Sequence, residues 1–462
     1  MENTSFFSSG SCEGLFVSLH HIHFIGILGA GMRVAARIAS TMGYTVSGSD
    51  SFASASGNAL DGIRVSGSGD ASSGIFTAEL AVFSLAISES DPEVLIAKER
   101  GIPLVSRADF FGALMRPFRE RIGIAGTHGK STVTAMCAEM LSARGADPTV
   151  AVGADLFGQS DGYRAGGREM LVFEACEYKY SFLSFLPTVA VLLNAEWDHP
   201  DCFSDHAAIL DAFYRYLSLP SVRVAVLPTD DLGASTLAEH LSVPIITFGT
   251  AEGADVRASE IRSEEGGVSF LLSIRGEEIG RVALSVFGEH NVQNALAAYA
   301  VAYAVGISPD ACALSGFLGI GRRTQYRGKY AGASYYDDYA HHPTEIRASI
   351  AAIAPRPRLI AVFQPHTYSR TAALFSELCE ALRGADAVIV TDIYAAREKN
   401  ESGITARALA AAIGPRAIYM PTPETAALAV RIKARSGDAV LVMGAGDLSA
   451  RFFRGPLSFS EE

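Results

Sequence analysis

Short apolar runs recur along the chain, and nearly every one closes on a glycine, a small polar residue or a carboxylate before a segment with helical spacing begins. The first run, His23-Phe24-Ile25, enters the turn Gly26-Ile27-Leu28-Gly29-Ala30-Gly31-Met32. A helix over 33–42 follows, stopped by Gly43, and then Thr45-Val46-Ser47-Gly48, which closes on Asp50. Apolar runs at 80–84 and 102–105 flank a helix over 92–100. The pattern repeats from Ile122-Gly123-Ile124-Ala125, through a second glycine turn, into a helix over 133–141 that ends near Gly145. Runs at 170–174 and 189–194 follow, with further strands near 222–227 and 268–274 and an alanine-rich helix over 291–303. A third block carries runs at 335–339, 359–363, 387–390 and 439–443. Apolar runs too short for helices, bounded by turn residues and alternating with helices, are the signature of parallel strands in an α/β fold. Polar residues at 116–121 and the Gly/Arg-rich stretch 319–328 divide the chain into three such units.

The chain has 462 residues, 49% of them hydrophobic and 19% charged, enough for three cores. Its net charge of −12 argues against a nucleic-acid partner. It does not exclude anionic substrates, which glycine turns and single cations can hold. Cys12, Cys137, Cys176, Cys202, Cys312 and Cys379 show neither CxxC pairing nor zinc spacing and read as buried thiols of a reducing compartment. No apolar run reaches the ~18 residues of a membrane span. Residues 1–20 read as an N-terminal tail. They carry Glu2 and Glu13 and lack the basic start of a signal peptide, so the cytoplasm is expected.

The most informative residues are Gly126-Thr127-His128-Gly129-Lys130-Ser131-Thr132. Strand, glycine turn and helix together hold phosphate, because the turn's N–H groups point inward and the helix start adds about half a positive charge. Lys130 can reach the β- and γ-phosphates, and Ser131 can ligate Mg²⁺. Ile124 stands where the strict phosphate-loop pattern has glycine. Glu174 and His199 also sit just past apolar strands. If those strands are parallel neighbours of the one before Gly126, Ser131, Glu174 and His199 converge on the γ-phosphate with a donor set suited to Mg²⁺ or Mn²⁺. The first turn, with glycines at 26, 29 and 31 and Asp50 at the end of the second strand, looks like a dinucleotide-binding half with altered spacing. Asp337-Asp338-Tyr339-Ala340-His341-His342-Pro343-Thr344-Glu345 and, after the next strand, His366 and Arg370 supply a second polar cluster. The pair could bind a metal, but adjacent residues on one chain rarely both face one ion, so a substrate or phosphate contact is the favoured reading for His341 and His342. Arg370 suits an anion. His290, Asn291 and Asn294, at the start of the alanine-rich helix, can edge-bind or stack on adenine.

In order, these motifs, with Glu174-Ala175-Cys176-Glu177-Tyr178, Asp198-His199-Pro200, Gly321-Arg322-Arg323 and Gln364-Pro365-His366-Thr367-Tyr368-Ser369-Arg370, make the sequence similar to the Mur ligases of peptidoglycan synthesis from about His23 to Gly446. The resemblance implies a Rossmann-like domain (21–118) for a UDP-sugar, a central P-loop-type ATPase domain (119–323) and a Rossmann-like domain (324–462) for an amino acid. It implies that ATP phosphorylates the lactyl carboxylate of UDP-N-acetylmuramate and that L-alanine attacks the acyl phosphate, in a monomer or weak homodimer. It implies that Lys130 holds the transferring phosphoryl group while Ser131, Glu174 and His199 serve Mg²⁺. Residues 126–132 would hold the nucleotide, with His290, Asn291 and Asn294 around adenine. Arg322 would reach the phosphates, and Asp338, His341 and His342 would line the third domain's side. His366 and Arg370 would face the acyl phosphate or amino acid. Gly29, Gly31, Met32, Asp50 and Ser84 would lie on the sugar nucleotide. Leu28, Arg33 and Thr324-Gln325 depart from the family's usual Gly, Ser and Phe-Glu. The rival readings are a ligase that adds a preformed peptide to the same sugar nucleotide, and a non-catalytic nucleotide-binding relative.

Overall fold

The apolar runs become the strands of three sheets, stacked along the chain in sequence order. The computed structural model describes residues 19–51, 53, 59–60, 62–70, 73–84, 86–153, 162–264, 266–353 and 358–454. Most of the N-terminal tail, Cys12 included, and residues 455–462 lie outside them.

The first sheet has six strands in the order Ala59–Leu60, Ile63–Ser66, Thr45–Ser49, His21–Ile25, Leu80–Phe83 and Leu104–Ser106. It is parallel apart from the Ala59–Leu60 hairpin partner. Helix Ala30–Thr41 packs Met32, Val34, Ala35, Ile38 and Ala39 into its core. The middle sheet has ten strands. Its parallel part runs from Ile245–Gly249 through Val224–Pro228, Val189–Leu192 and Glu120–Ala125 to Gly167–Glu174 and Pro148–Ala151. Three strands extend it at one edge, Val256–Glu264, Gly267–Ile274 and Glu277–Leu284, each antiparallel to the next, and Tyr163–Arg164 pairs antiparallel with Pro148–Ala151 at the other edge. Helices Lys130–Ala143 and His290–Ala304 lie against each other under this sheet, and most of their residues are buried. The third sheet runs Gln325–Tyr330, Ala333–Asp338, Ala439–Met443, Leu359–Phe363, Ala387–Val390 and Ala417–Tyr419, antiparallel only at its first pair.

Among the described residues no helix is long and apolar enough to cross a membrane. The five described cysteines are free. Cys137 and Cys379 are buried as expected, whereas Cys312 is exposed.

Candidate active site

Strand order assembles the site. Strand Glu120–Ala125 lies between parallel neighbours, with Ile124 opposite Glu174 on one side and Ala125 opposite Leu192 on the other. Three carboxyl ends therefore finish side by side, at the edge where open α/β sheets bind ligands. Gly126 has φ +138° and Gly129 φ +82°. A Cβ on Gly129 would stand 2.7 Å from Asn294 Oδ1, so glycine is required there for both angle and space. Asn194, just past the neighbouring strand, pins the turn: its Oδ1 accepts the His128 N–H at 2.8 Å and its Nδ2 donates to the His128 carbonyl at 3.1 Å.

Lys130 folds back over this turn. Its Nζ donates to the carbonyls of Gly126 (2.5 Å) and Thr127 (3.1 Å) and pairs with the Glu177 carboxylate at 3.1 Å. Glu177 is fully buried. Burial opposes both charges, but each partner holds the other ionised, raising the lysine's pKa and lowering the glutamate's. Ser131 Oγ donates to Glu174 Oε2 at 2.9 Å, and the Gly153 N–H donates to the same oxygen at 2.8 Å. A hydroxyl and a carboxylate side by side at the lip of the turn are hard oxygen donors and fit Mg²⁺. His199 adopts φ +56°, sparse for a non-glycine residue, and places Nε2 3.5 Å from Glu177 Oε1. Its ring packs on Tyr178 at 5.0 Å. Lys130, Glu177 and His199 thus form one run of polar contacts beside the Ser131–Glu174 pair.

The third sheet closes the other side. A cavity of about 280 Å³ lies between the two, walled by the turn, by Asn291 and Asn294, and by Arg323, Thr344 and Glu345. His128 Nδ1 lies 3.3 Å from Glu345 Oε1, Arg323 Nη1 lies 3.5 Å from the same atom, and Thr344 Oγ1 donates to Glu196 at 2.6 Å. Burial would discharge His128, but Glu196 and Glu345 outweigh it and raise its pKa to about 9. Glu196 falls to about 2 against its own burial, chiefly through His128. Burial pushes His341 down to about 3 and His342 to about 4, so both are neutral imidazoles. Asp198 and Arg370 form a buried two-pronged ion pair across the same seam, at 2.7 and 3.1 Å. The arginine overcomes burial and holds Asp198 far below the usual carboxylate range.

Several predicted residues sit differently from expectation. Arg322 does not reach the cleft: it donates to the Gly444 carbonyl, lies 3.7 Å from Asp337 and packs over Tyr339. Arg323 lines the cavity instead. Asp338 is a brace, accepting from Thr324, Ala340 and Ser349. Arg370 is engaged by Asp198 and by His366, which stacks on Tyr394. Asn291 donates to the Phe287 carbonyl and accepts from Asn294, beside His290. In the first turn, Met32 faces the core, and Asp50 accepts the Leu28 N–H at 3.0 Å. Ser84 accepts from Ala86 N. A Cβ on Gly31 would meet Arg107 Nη1 at 3.0 Å, and Gly29 is the N-cap of the same helix. Sequence reasoning assigned no role to Glu177, Glu196, Arg323 or Arg107. Glu177 and Arg323 carried a signal, each standing in a motif beside a residue that was assigned a role, Glu174 and Arg322.

Residues 21–119, 124–302 and 322–446 match, in turn, the Mur ligase family catalytic domain, the Mur ligase middle domain and the Mur ligase glutamate ligase domain. The chain belongs to the Mur ligase family. UDP-N-acetylmuramate–L-alanine ligases of Lachnospira eligens and Caldicellulosiruptor bescii are each 40% identical to it, covering 93% and 92% of this chain and 96% of their own. Among solved Mur ligases, the UDP-N-acetylmuramate–alanine ligase of Thermotoga maritima superposes with a TM-score of 0.76 at 25% identity, over 94% of this chain and 97% of that one. A murein peptide ligase of Psychrobacter arcticus gives 0.71 at 25% identity, over 94% and 98%.

Proposed function

We propose that this chain is an ATP-dependent ligase that joins L-alanine to the lactyl carboxylate of UDP-N-acetylmuramate, in the cytoplasm where peptidoglycan precursors are made. One observation carries the reading. At adjacent parallel strand ends Ser131 meets Glu174, and Lys130 meets Glu177, which His199 faces, in a chain 40% identical, over 93% of its length, to a ligase of that name. We assign 21–118 to the sugar nucleotide, 119–323 to ATP and 324–462 to the amino acid.

A carboxylate is a poor electrophile. Transfer of the γ-phosphoryl group to it gives an acyl phosphate with a good leaving group, which the amine of alanine displaces to form the amide and free phosphate. Little of this needs side-chain covalency; positioning and charge neutralisation dominate. The turn at 126–132 cradles the triphosphate. Lys130 exchanges Glu177 for the transferring phosphoryl group. Ser131, Glu174 and His199 would hold Mg²⁺, or Mn²⁺ in its place, and such an ion would supply charge neutralisation for the phosphates. His290, Asn291 and Asn294 flank adenine. Gly29, Gly31 and Met32 present the first helix's start to the UDP, with Asp50 bracing that turn and Ser84 beside it. Arg323 takes the phosphate-facing role expected of Arg322. Neutral His341 and His342 leave the amine's approach free of like charge, and Asp338, His366 and Arg370 hold the wall behind them.

The test is phosphate release from ATP with UDP-N-acetylmuramate and a panel of acceptors. L-alanine is expected to support turnover, with glycine and serine slower by the ~1–3 kcal/mol that one small group is worth. Turnover with a tripeptide and none with alanine identifies a peptide-adding ligase. No acceptor-dependent release at all identifies a nucleotide binder.

A further inference from the structure

The adjacent histidines 341 and 342 are not paired on one ion by their sequence spacing. The fold supplies His342 with a different partner across the seam. His128 and Glu196 stand at carboxyl ends of the middle sheet, and His342 immediately precedes helix Pro343–Ile353 of the third. His128 Nε2 lies 3.6 Å and His342 Nδ1 lies 3.7 Å from the same carboxylate oxygen, Glu196 Oε2. One donor atom from each residue falls within 4.8 Å of the other two. The two rings are 4.5 Å apart, tilted by 42°. In a tetrahedral site with metal–nitrogen bonds of ~2.0–2.1 Å, donor atoms stand about 3.4 Å from one another. Both histidine–carboxylate separations are therefore a few tenths of an ångström from that spacing, and the two imidazole donors lie within 4.8 Å of each other. His128 Nε2 is buried and has no hydrogen-bond partner, an exception among interior polar atoms.

The chemistry of the set differs from that of the Ser131–Glu174 pair. Two imidazoles and one carboxylate suit Zn²⁺ and Co²⁺, whereas Mg²⁺ takes oxygen donors. We propose that His128, Glu196 and His342 form a zinc-class metal site that latches the middle sheet to the third. Its fourth coordination position opens on the nucleotide cavity, which His128 and Glu196 help to line. Two donors belong to one sheet and one to the other, so an ion bound there holds the cleft closed. The site does not depend on which acceptor the ligase uses.

The experiment titrates Co²⁺ into the full chain, stripped of metal and held in excess Mg²⁺ so that the hard-oxygen site is filled. A tetrahedral visible absorption band is expected, saturating at one ion per chain and removed by Zn²⁺. His342→Gln and Glu196→Gln each weaken Co²⁺ binding by at least about tenfold, the least that even outer-shell losses cause. Glu174→Gln keeps the band. Glu196 is half-exposed, so its variant tests the site even where the buried His342→Gln fails to fold. No tetrahedral band, a band that survives Glu196→Gln, or a band lost with Glu174→Gln overturns the proposal.

Discussion

The turns at 26–31 and 126–129 share one backbone plan, a strand running through glycines into a helix, yet their polar groups meet different fates. In the first, the N–H groups of Gly26 and Ile27 both go to the Ser49 carbonyl, that of Leu28 goes to Asp50, and that of Gly29 goes to the Gly26 carbonyl. The turn is tied to its own sheet, and Arg107 stands beside it. In the second, strands on both sides deliver side chains: Asn194 clamps the turn, Glu174 meets Ser131, and Glu177 meets Lys130. Glycines shape a cradle; the residues that end the adjacent strands decide whether it does chemistry.

That contrast can be broken most sharply at Lys130. Lys130→Ala is expected to lower alanine-dependent phosphate release by ~10²–10³-fold, the scale for losing one preorganised charge donor. It also leaves buried Glu177 without its main partner, so the melting temperature should fall. Adding Glu177→Gln should restore much of that stability and none of the turnover. Restored turnover would show that the lysine acts only as a counter-ion. Next is Gly129→Ala, which meets a left-handed angle worth ~1–2 kcal/mol and the Asn294 contact; nucleotide Kd should rise at least ~tenfold, read by calorimetry. Its counterpart, Gly31→Ala, has an ordinary angle and displaces only a flexible arginine. It should raise KM for the sugar nucleotide by up to ~tenfold, at the low end of overpacking penalties, and leave KM for ATP unchanged. Equal effects of the two glycine variants on ATP would erase the distinction.

The smallest effect is on stability against pH. Glu196, held at about 2, contributes stability that is complete above its unfolded pKa and lost as pH falls from about 4 towards 2; Asp198 acts in the same direction. His128, raised to about 9, contributes stability that is complete below about 6.5 and lost as pH rises through about 9. Neutral His341 and His342, held at about 3 and about 4, cost stability as pH falls below about 6.5. The melting temperature should therefore peak near pH 6.5, and His128→Asn should flatten the alkaline side. An alkaline decline unchanged in that variant would remove His128 from the seam's charge balance.

Much of this is legible in the sequence. The glycine turns, the parallel strands and the positions of Glu174 and His199 followed from apolar runs and what ends them. The antiparallel extension was harder, because a strand half-covered on one face, such as Val256–Glu264, lacks a continuous apolar run. Roles set by which surfaces meet were not legible at all. Nothing in the order of residues says that Asp198 faces Arg370, that Glu196 faces Thr344, or that the left-handed twist at Arg322 turns it away and leaves Arg323 on the cleft.

The Lys130–Glu177 pair also bears on selectivity. A free ammonium in a glycine cradle attracts any small anion that diffuses in. Here that charge is already matched by an interior carboxylate, so lone phosphate or sulfate finds little field to fall into. A ligand must bring enough contacts of its own, at adenine, along the backbone amides and through its divalent companion, to draw the lysine off its resting partner. The vacant enzyme is thereby guarded against the product it releases each cycle.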